Sequence, residues 1–247
     1  MKSGSVLFIF RVGCFLLLSP FNNISAQNTV SVNSFYQQAL ANAKSVYHKS
    51  FRDQSALYNG SNGDYLFPFE KGYPYFYSIV PGIGSVVYDG INYDSIVMTY
   101  DEVKDALVII LGVKRLQLAS EKVESFHLFN SDFIKINKDS LAENLVKSGF
   151  YNVLYKGKIW LLKKQVKIIT EDLKTSQVLH MIDEQDYYYI KMDDKFYLVN
   201  SKKNLLKIFS DKKKEVQQFI RVNGLNFRND RMHMLIETIA YYDSLKK

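Results

Sequence analysis

The sequence predicts an α+β fold: a large, curved antiparallel β-meander, with one helix before it and two or three after it. Three observations predict it. Between residues 84 and 200, apolar side chains recur at period two, in short runs separated by turn dipeptides. Those runs join through short turns, which antiparallel strands allow and parallel strands do not. From residue 201 onward the apolar period lengthens to that of a helix.

Residues 1–26 read as a secretory signal peptide. Lys2 supplies a charge, Val6 to Leu18 an apolar run broken by Arg11, and Ala26 a small residue at the expected cut. The run is short for a bilayer span. Export to the periplasm or cell envelope follows as the expectation. The remaining chain, 27–247, suits a single α+β domain with its own core. Cys14 lies within the leader and is the only cysteine, so the mature chain is expected to hold no disulfide, thiol nucleophile or thiolate zinc site.

Residues 34–51 carry Phe35, Leu40, Ala43, Val46 and Tyr47 near helical spacing and predict the first helix. Residues 57–80 are punctuated by Gly and Pro, which predicts loop, and are densely aromatic. Tyr58, Tyr65, Phe67, Phe69, Tyr73 and Tyr75 are the candidate partner- or glycan-binding residues; the same rings could equally pack down as a lid.

The meander is expected over 84–200. Residues 84–105 hold five carboxylates, which raises the question of a metal or acid–base site. Asp89-Gly90 between alternating apolar residues is a hairpin signal. Asp101, Glu102 and Asp105 sit where a turn is expected, and Asp94 is expected to point outward beside Tyr93. The spacing fits no EF-hand loop. Ala106–Leu111 reads as a central strand, Lys156-Gly157 and Asp193-Asp194 as further hairpin turns, and Val178–Ile182 and Tyr187–Met192 as separate strands. In the tail, Ser201 is a cap for a helix to Phe209. Ser210 or Asp211 is a cap for a second, stopped at Gly224. Arg231–Leu245 makes a third, with Met232, Leu235, Ile236, Ile239 and Tyr242 on one side.

The order of blocks resembles a group of uncharacterised exported proteins of Bacteroidota. The blocks are Leu57-Tyr58-Asn59-Gly60, Gly84-x-Val86-x-Tyr88-Asp89-Gly90-x-x-Tyr93, Tyr100-Asp101, Gly149-Phe150-Tyr151-x-Val153-Leu154-Tyr155-x-Gly157, and Ser201-Lys202-Lys203 with Asp211-Lys212-Lys213-Lys214. The resemblance covers nearly all of the mature chain. It implies an envelope location, no known activity and no catalytic residues. It also implies Asp94-Ser95-Ile96, Asp139-Ser140-Leu141 and Asp243-Ser244-Leu245 as O-glycosylation triplets, with Ser140 the one in an expected loop.

Chemistry is sparse. His48, His127, His180 and His233 form no zinc-type pair, and Met232, His233 and Met234 diverge on a helix. No nucleophile elbow, phosphate loop or dinucleotide fingerprint occurs. No catalytic residue, metal ligand or cofactor is therefore assigned. Loss of the leader leaves a net charge of about +5, mostly from Lys. Lys163, Lys164, Lys167, Lys202, Lys203, Lys207 and Lys212–Lys214 are the densest basic positions, expected to face solvent and to offer peripheral contact with anionic membrane. No nucleic-acid motif is present. Two readings remain: a non-catalytic envelope module that binds a protein or glycan partner, and a carrier of a lipid or other apolar ligand inside the curved sheet.

Overall fold

The computed structural model describes residues 35–40, 43, 57, 61–137, 146–172 and 178–246. The chain divides into two compact units, Met1–Leu40 and Ala41–Lys247. In the first, residues 35–40 are helical and are α1; in the second, residue 43 is helical. Residues 1–26, read from the sequence as a signal peptide, and Tyr58 lie outside the described residues.

The larger unit is built on an eleven-stranded antiparallel sheet. Its strands are β1 (Ser61–Asn62), β2 (Gly82–Tyr88), β3 (Ile91–Asp101), β4 (Ala106–Leu111), β5 (Lys114–Gln117), β6 (Val123–Leu128), β7 (Ser131–Ile136), β8 (Gly149–Lys156), β9 (Trp160–Asp172), β10 (Leu179–Met192) and β11 (Lys195–Leu198). Three helices follow: α2 (Lys202–Ile208), α3 (Lys213–Val222) and α4 (Arg231–Leu245). The order across the sheet is β1-β5-β4-β3-β2-β6-β7-β8-β9-β10-β11. Two meanders therefore share a seam at β2–β6, and the sheet is not closed by strand pairing.

The turns follow the chemistry expected of them. Asp89 and Gly90 take φ of 53° and 76°, and Asp193 and Asp194 take 50° and 57°. Two positive-φ residues are what a type I′ hairpin needs to match strand twist. The stretch expected as two strands at 178–192 is instead one 14-residue strand, β10, paired along its length with β9 from Leu179↔Asp172 to Lys191↔Trp160. In the polar Asp183–Asp186 segment that suggested a break, residues 183–185 are the exposed middle of that ribbon, where ladder bonds do not depend on side-chain polarity.

Two apolar cores lie on one face of the sheet. The first joins Tyr100, Phe126, Phe133 and Phe150 to the inward residues of β2–β6. Phe126 and Phe133 stack with centroids 4.5 Å apart, and Tyr100 lies 5.1 Å from Phe133. The second packs Leu161, Tyr188 and Ile190 against α2, α3 and α4. Phe209, fully buried, stacks on Tyr242 at 3.7 Å. A third cluster, Tyr151, Leu162 and Tyr189 among them, comes from the alternate residues of β8–β10.

The helix ends match their sequence signals, with two corrections. Ser201 Oγ accepts from Asn204 N at 3.1 Å, and Asp230 caps α4 through His233 N. Gly224, at φ 62°, closes α3 in a Schellman turn: Leu225 N donates to Ile220 O and Gly224 N to Arg221 O. Neither Ser210 nor Asp211 caps α3. The chain passes first through a 3₁₀ turn, Ser210–Lys212, and Asp211 instead accepts the Tyr242 hydroxyl at 2.8 Å. On α4 the buried stripe holds Met234 where Met232 was expected; Met232 faces solvent.

Phe209→Ala should destabilise the protein by about 3–5 kcal/mol, the usual cost of emptying a buried aromatic site. Urea unfolding followed by near-UV circular dichroism measures it. A loss under about 1 kcal/mol would mean that the helices do not dock through this ring.

Candidate functional site

The carboxylate-rich stretch resolves into a junction. The Asp101–Ala106 turn, between β3 and β4, reaches β9, which is five positions from β3 and six from β4 in the sheet order. Beyond the start of β8, the edge of β9 is free, and Lys167 N donates to Glu102 O at 3.4 Å. Glu102, 4% exposed, faces Lys167, 6% exposed, with Oε2 and Nζ 3.2 Å apart. The Lys167 ammonium also donates to the carbonyls of Tyr73 and Tyr75, at 3.1 and 2.7 Å.

A second pair closes the same seam. Lys164 Nζ lies 2.6 Å from Asp105 Oδ1, which also accepts the Tyr100 hydroxyl at 2.6 Å and Phe150 N at 3.3 Å. Gly149 leaves the room: a Cβ there would stand 2.0 Å from Asp105 Oδ2 and 2.7 Å from Lys164 Nζ. Asp101 accepts from Val103 N, Lys104 N and the Tyr65 hydroxyl. Lys163 pairs with Asp186 at 2.9 Å. Lys163, Lys164 and Lys167 were expected on the surface. Lys164 and Lys167 turn into the seam, because Asp105 and Glu102 stand opposite them, and Lys163 turns to Asp186 on the neighbouring β10.

Burial pushes Glu102 up to about 7, against the pull of Lys167. Burial likewise lowers Lys164, with Asp105 opposing. Perturbed carboxylates beside lysines are what acid–base catalysts use. Here, however, the pocket bounded by Tyr100, Glu102, Phe133, Phe150 and Lys163 holds about 10 Å³, room for one water and no substrate. What the arrangement does is hold the turn against β9. Asp94 lies elsewhere, exposed, and accepts from Asn92 Nδ2. Among the described residues no group of three His, Cys, Asp or Glu could hold a metal ion.

The aromatic loop is tied down by this junction. Phe76 N donates to Tyr100 O and Glu102 N to Pro74 O, while Glu70 N donates to His180 O of β10 and Ile182 N of β10 donates to Lys71 O. The loop thus bridges β3 and β10. Tyr65, Phe67, Phe69 and Tyr75 are brought together, with Tyr65–Phe69 at 5.1 Å and Phe67–Phe69 at 5.5 Å. Phe67 stacks on His180 at 3.9 Å, and Lys104 and Arg115 lie over Tyr65 and Tyr75. These four rings are half-buried. Tyr73 stands apart, with Lys167 over its ring and its hydroxyl donating to Tyr77 O at 2.8 Å.

That last bond locates a surface not assigned from the sequence. Tyr77 is 71% exposed and takes φ 61°, a conformation that costs an L-residue about 1–2 kcal/mol. Its ring meets Phe129 at 5.1 Å. Phe129, at φ 50°, occupies a hairpin turn position that favours Asn or Gly. Ile79, Val80 and Ile83 follow Tyr77 along the chain, all more than half exposed, and Ile83 is the cross-strand partner of the exposed Val97. Ile79-Val80-Pro81 was the available signal, but aliphatics beside a loop read equally as core. Of the glycosylation triplets, Ser95 is exposed at a strand irregularity, Ser244 Oγ donates to Tyr241 O, and Ser140 lies outside the described residues.

No family model, curated protein or solved structure matches the chain. No helix among the described residues is long and apolar enough to cross a membrane.

At about pH 9, where Glu102 is ionised, Lys167→Met leaves its carboxylate buried without a counter-charge and should cost about 3–5 kcal/mol, whereas the double change Glu102→Met with Lys167→Met should recover most of it. A double-mutant cycle in urea checks this; equal losses in single and double variants would show no coupling. The pH dependence has a defined sign. Glu102 binds its proton more tightly folded, at about 7, than unfolded, at 4.5. Its contribution is therefore full below pH 4.5 and falls away as pH rises to 7. Relative to Glu102→Gln, the unaltered protein should lose stability across that window. A difference that grows with pH would reverse the assignment.

Proposed function

We propose that this chain is an exported, non-catalytic envelope module that binds a protein partner through the rim formed by Tyr77, Ile79, Val80, Ile83, Val97 and Phe129. The observation that carries the reading is the pair Tyr77–Phe129. Two aromatic residues hold strained backbone conformations with their rings in contact; Phe129 is partly buried against the first core, whereas Tyr77, 71% exposed, gains no buried core in return. Strain retained at an exposed position is a mark of function. Contiguous exposed apolar residues are a mark of an interface.

A protein fits the rim better than a glycan. Sugars are held by flat rings flanked by hydrogen-bonding groups, and Ile79, Val80, Ile83 and Val97 supply neither. The carrier reading finds less support among the described residues. Ligand pockets run to about 300–1,000 Å³, whereas the inner face of this sheet is filled by its own rings. The leader-like residues 1–26 support export to the periplasm or envelope.

A photo-activated cross-linker at Ile83, used in the native envelope, should give a discrete protein adduct, and one at Lys195 should not. Tyr77→Gly should abolish that adduct while leaving stability unchanged within about 0.5 kcal/mol or raising it. No adduct at Ile83, or one insensitive to Tyr77→Gly, overturns the reading.

A further inference from the structure

A groove of about 650 Å³ opens between the start of α2 and the α3–α4 connection, far in sequence from the rim. Lys202, Lys203, Arg228 and Arg231 line it, together with Phe227 and Ser201, and no carboxylate does. Among the described residues none of the four cations forms an ion pair, although Lys212, two turns away, pairs with Glu215. The nearest acids are committed elsewhere. Asp230 caps α4 through His233 N, and Asp186 serves Lys163, Gln165 and Tyr188.

The groove is also built. Arg231 is half-buried, its guanidinium 4.9 Å from the Phe227 ring and 5.9 Å from that of Tyr188. Asn226 Oδ1 accepts from Arg228 N and Asn229 N and fixes the loop that carries Arg228. Stacking holds a guanidinium flat and leaves its N–H fork free for a planar or tetrahedral anion. Four like charges around one depression repel one another. A dianionic group entering between them removes that repulsion and gains charge-assisted bonds; a single carboxylate would leave most of the charge unanswered.

We infer that this groove binds a phosphate-bearing ligand, with the phosphate between Lys203, Arg228 and Arg231 and an apolar or ring portion against Phe227. The phosphate could be that of a free phosphorylated sugar or of a phospholipid headgroup, and the two sources separate by experiment.

The full mature protein is titrated calorimetrically with glucose 6-phosphate, and co-sedimented with phosphatidylglycerol–phosphatidylcholine vesicles against phosphatidylcholine alone, at low ionic strength. The test variant is Lys203→Glu with Arg228→Glu, both exposed. The control is Lys114→Glu with Lys195→Glu, which changes the net charge equally elsewhere. Saturable binding of the sugar phosphate that weakens at least tenfold in the test variant alone assigns a soluble ligand. Binding confined to the anionic vesicles, with the same tenfold selectivity between variants, assigns a headgroup. Absence of binding to either probe, or equal weakening in test and control variants, overturns the inference. Because Tyr77→Gly leaves this groove untouched, its failure and that of the rim are read independently.

Discussion

The docking of the Asp101–Asp105 turn on the free edge of β9 is the constraint on which the rest depends. An antiparallel meander of this length has two edges and no intrinsic reason to curl to a given radius. Here the radius is set where Lys167 N meets Glu102 O and where two lysine–carboxylate pairs bury themselves in the seam. Everything on the inner face is then determined by that closure: Tyr100 reaches Asp105, the Phe126–Phe133–Phe150 cluster fills, and the loop at 70–76 finds backbone partners on both β3 and β10.

Ion pairs of this kind are not the source of net stability. Removing two charges from water costs several kcal/mol each, and their attraction roughly returns it. Apolar burial in the two cores on that face supplies the driving force. What the pairs add is register. Glu102 fits only opposite Lys167, and Asp105 only beside Gly149, where any side chain would collide. The helices meanwhile bury the end of the second meander through Phe209 and Tyr242 and take no part in the seam.

Much of this was legible in the residues. Period-two alternation and Asp-Gly or Asp-Asp turns marked the strands, because type I′ geometry admits few other pairs. Ser201 and Gly224 marked helix ends through local chemistry alone. What was not legible involves partners distant in sequence. Lys163, Lys164 and Lys167 look like an exposed basic run until Asp186, Asp105 and Glu102 are folded against them. Asp211 looks like a cap until Tyr242, 31 positions on, claims it. The rim was hidden for a different reason. Phe129 occupies a turn position that its propensity disfavours, and Tyr77 a backbone region that few tyrosines adopt, so local rules pointed away from the places where they were broken. Of the candidate aromatic residues, Tyr73 reaches that surface through its hydroxyl, which donates to Tyr77 O, while Tyr65, Phe67, Phe69 and Tyr75 form a separate cluster.

The account therefore separates a rigid seam from the rim that it presents, with one loop linking them. Hydrogen exchange compares that rim most directly in two preparations: the protein purified alone, and the protein isolated under mild conditions from the cell fraction that holds it. The account predicts that amides of residues 77–83 exchange markedly more slowly in the second preparation, while those of Lys167 and Phe76 are protected equally in both. Identical exchange at 77–83 in the two preparations would contradict it.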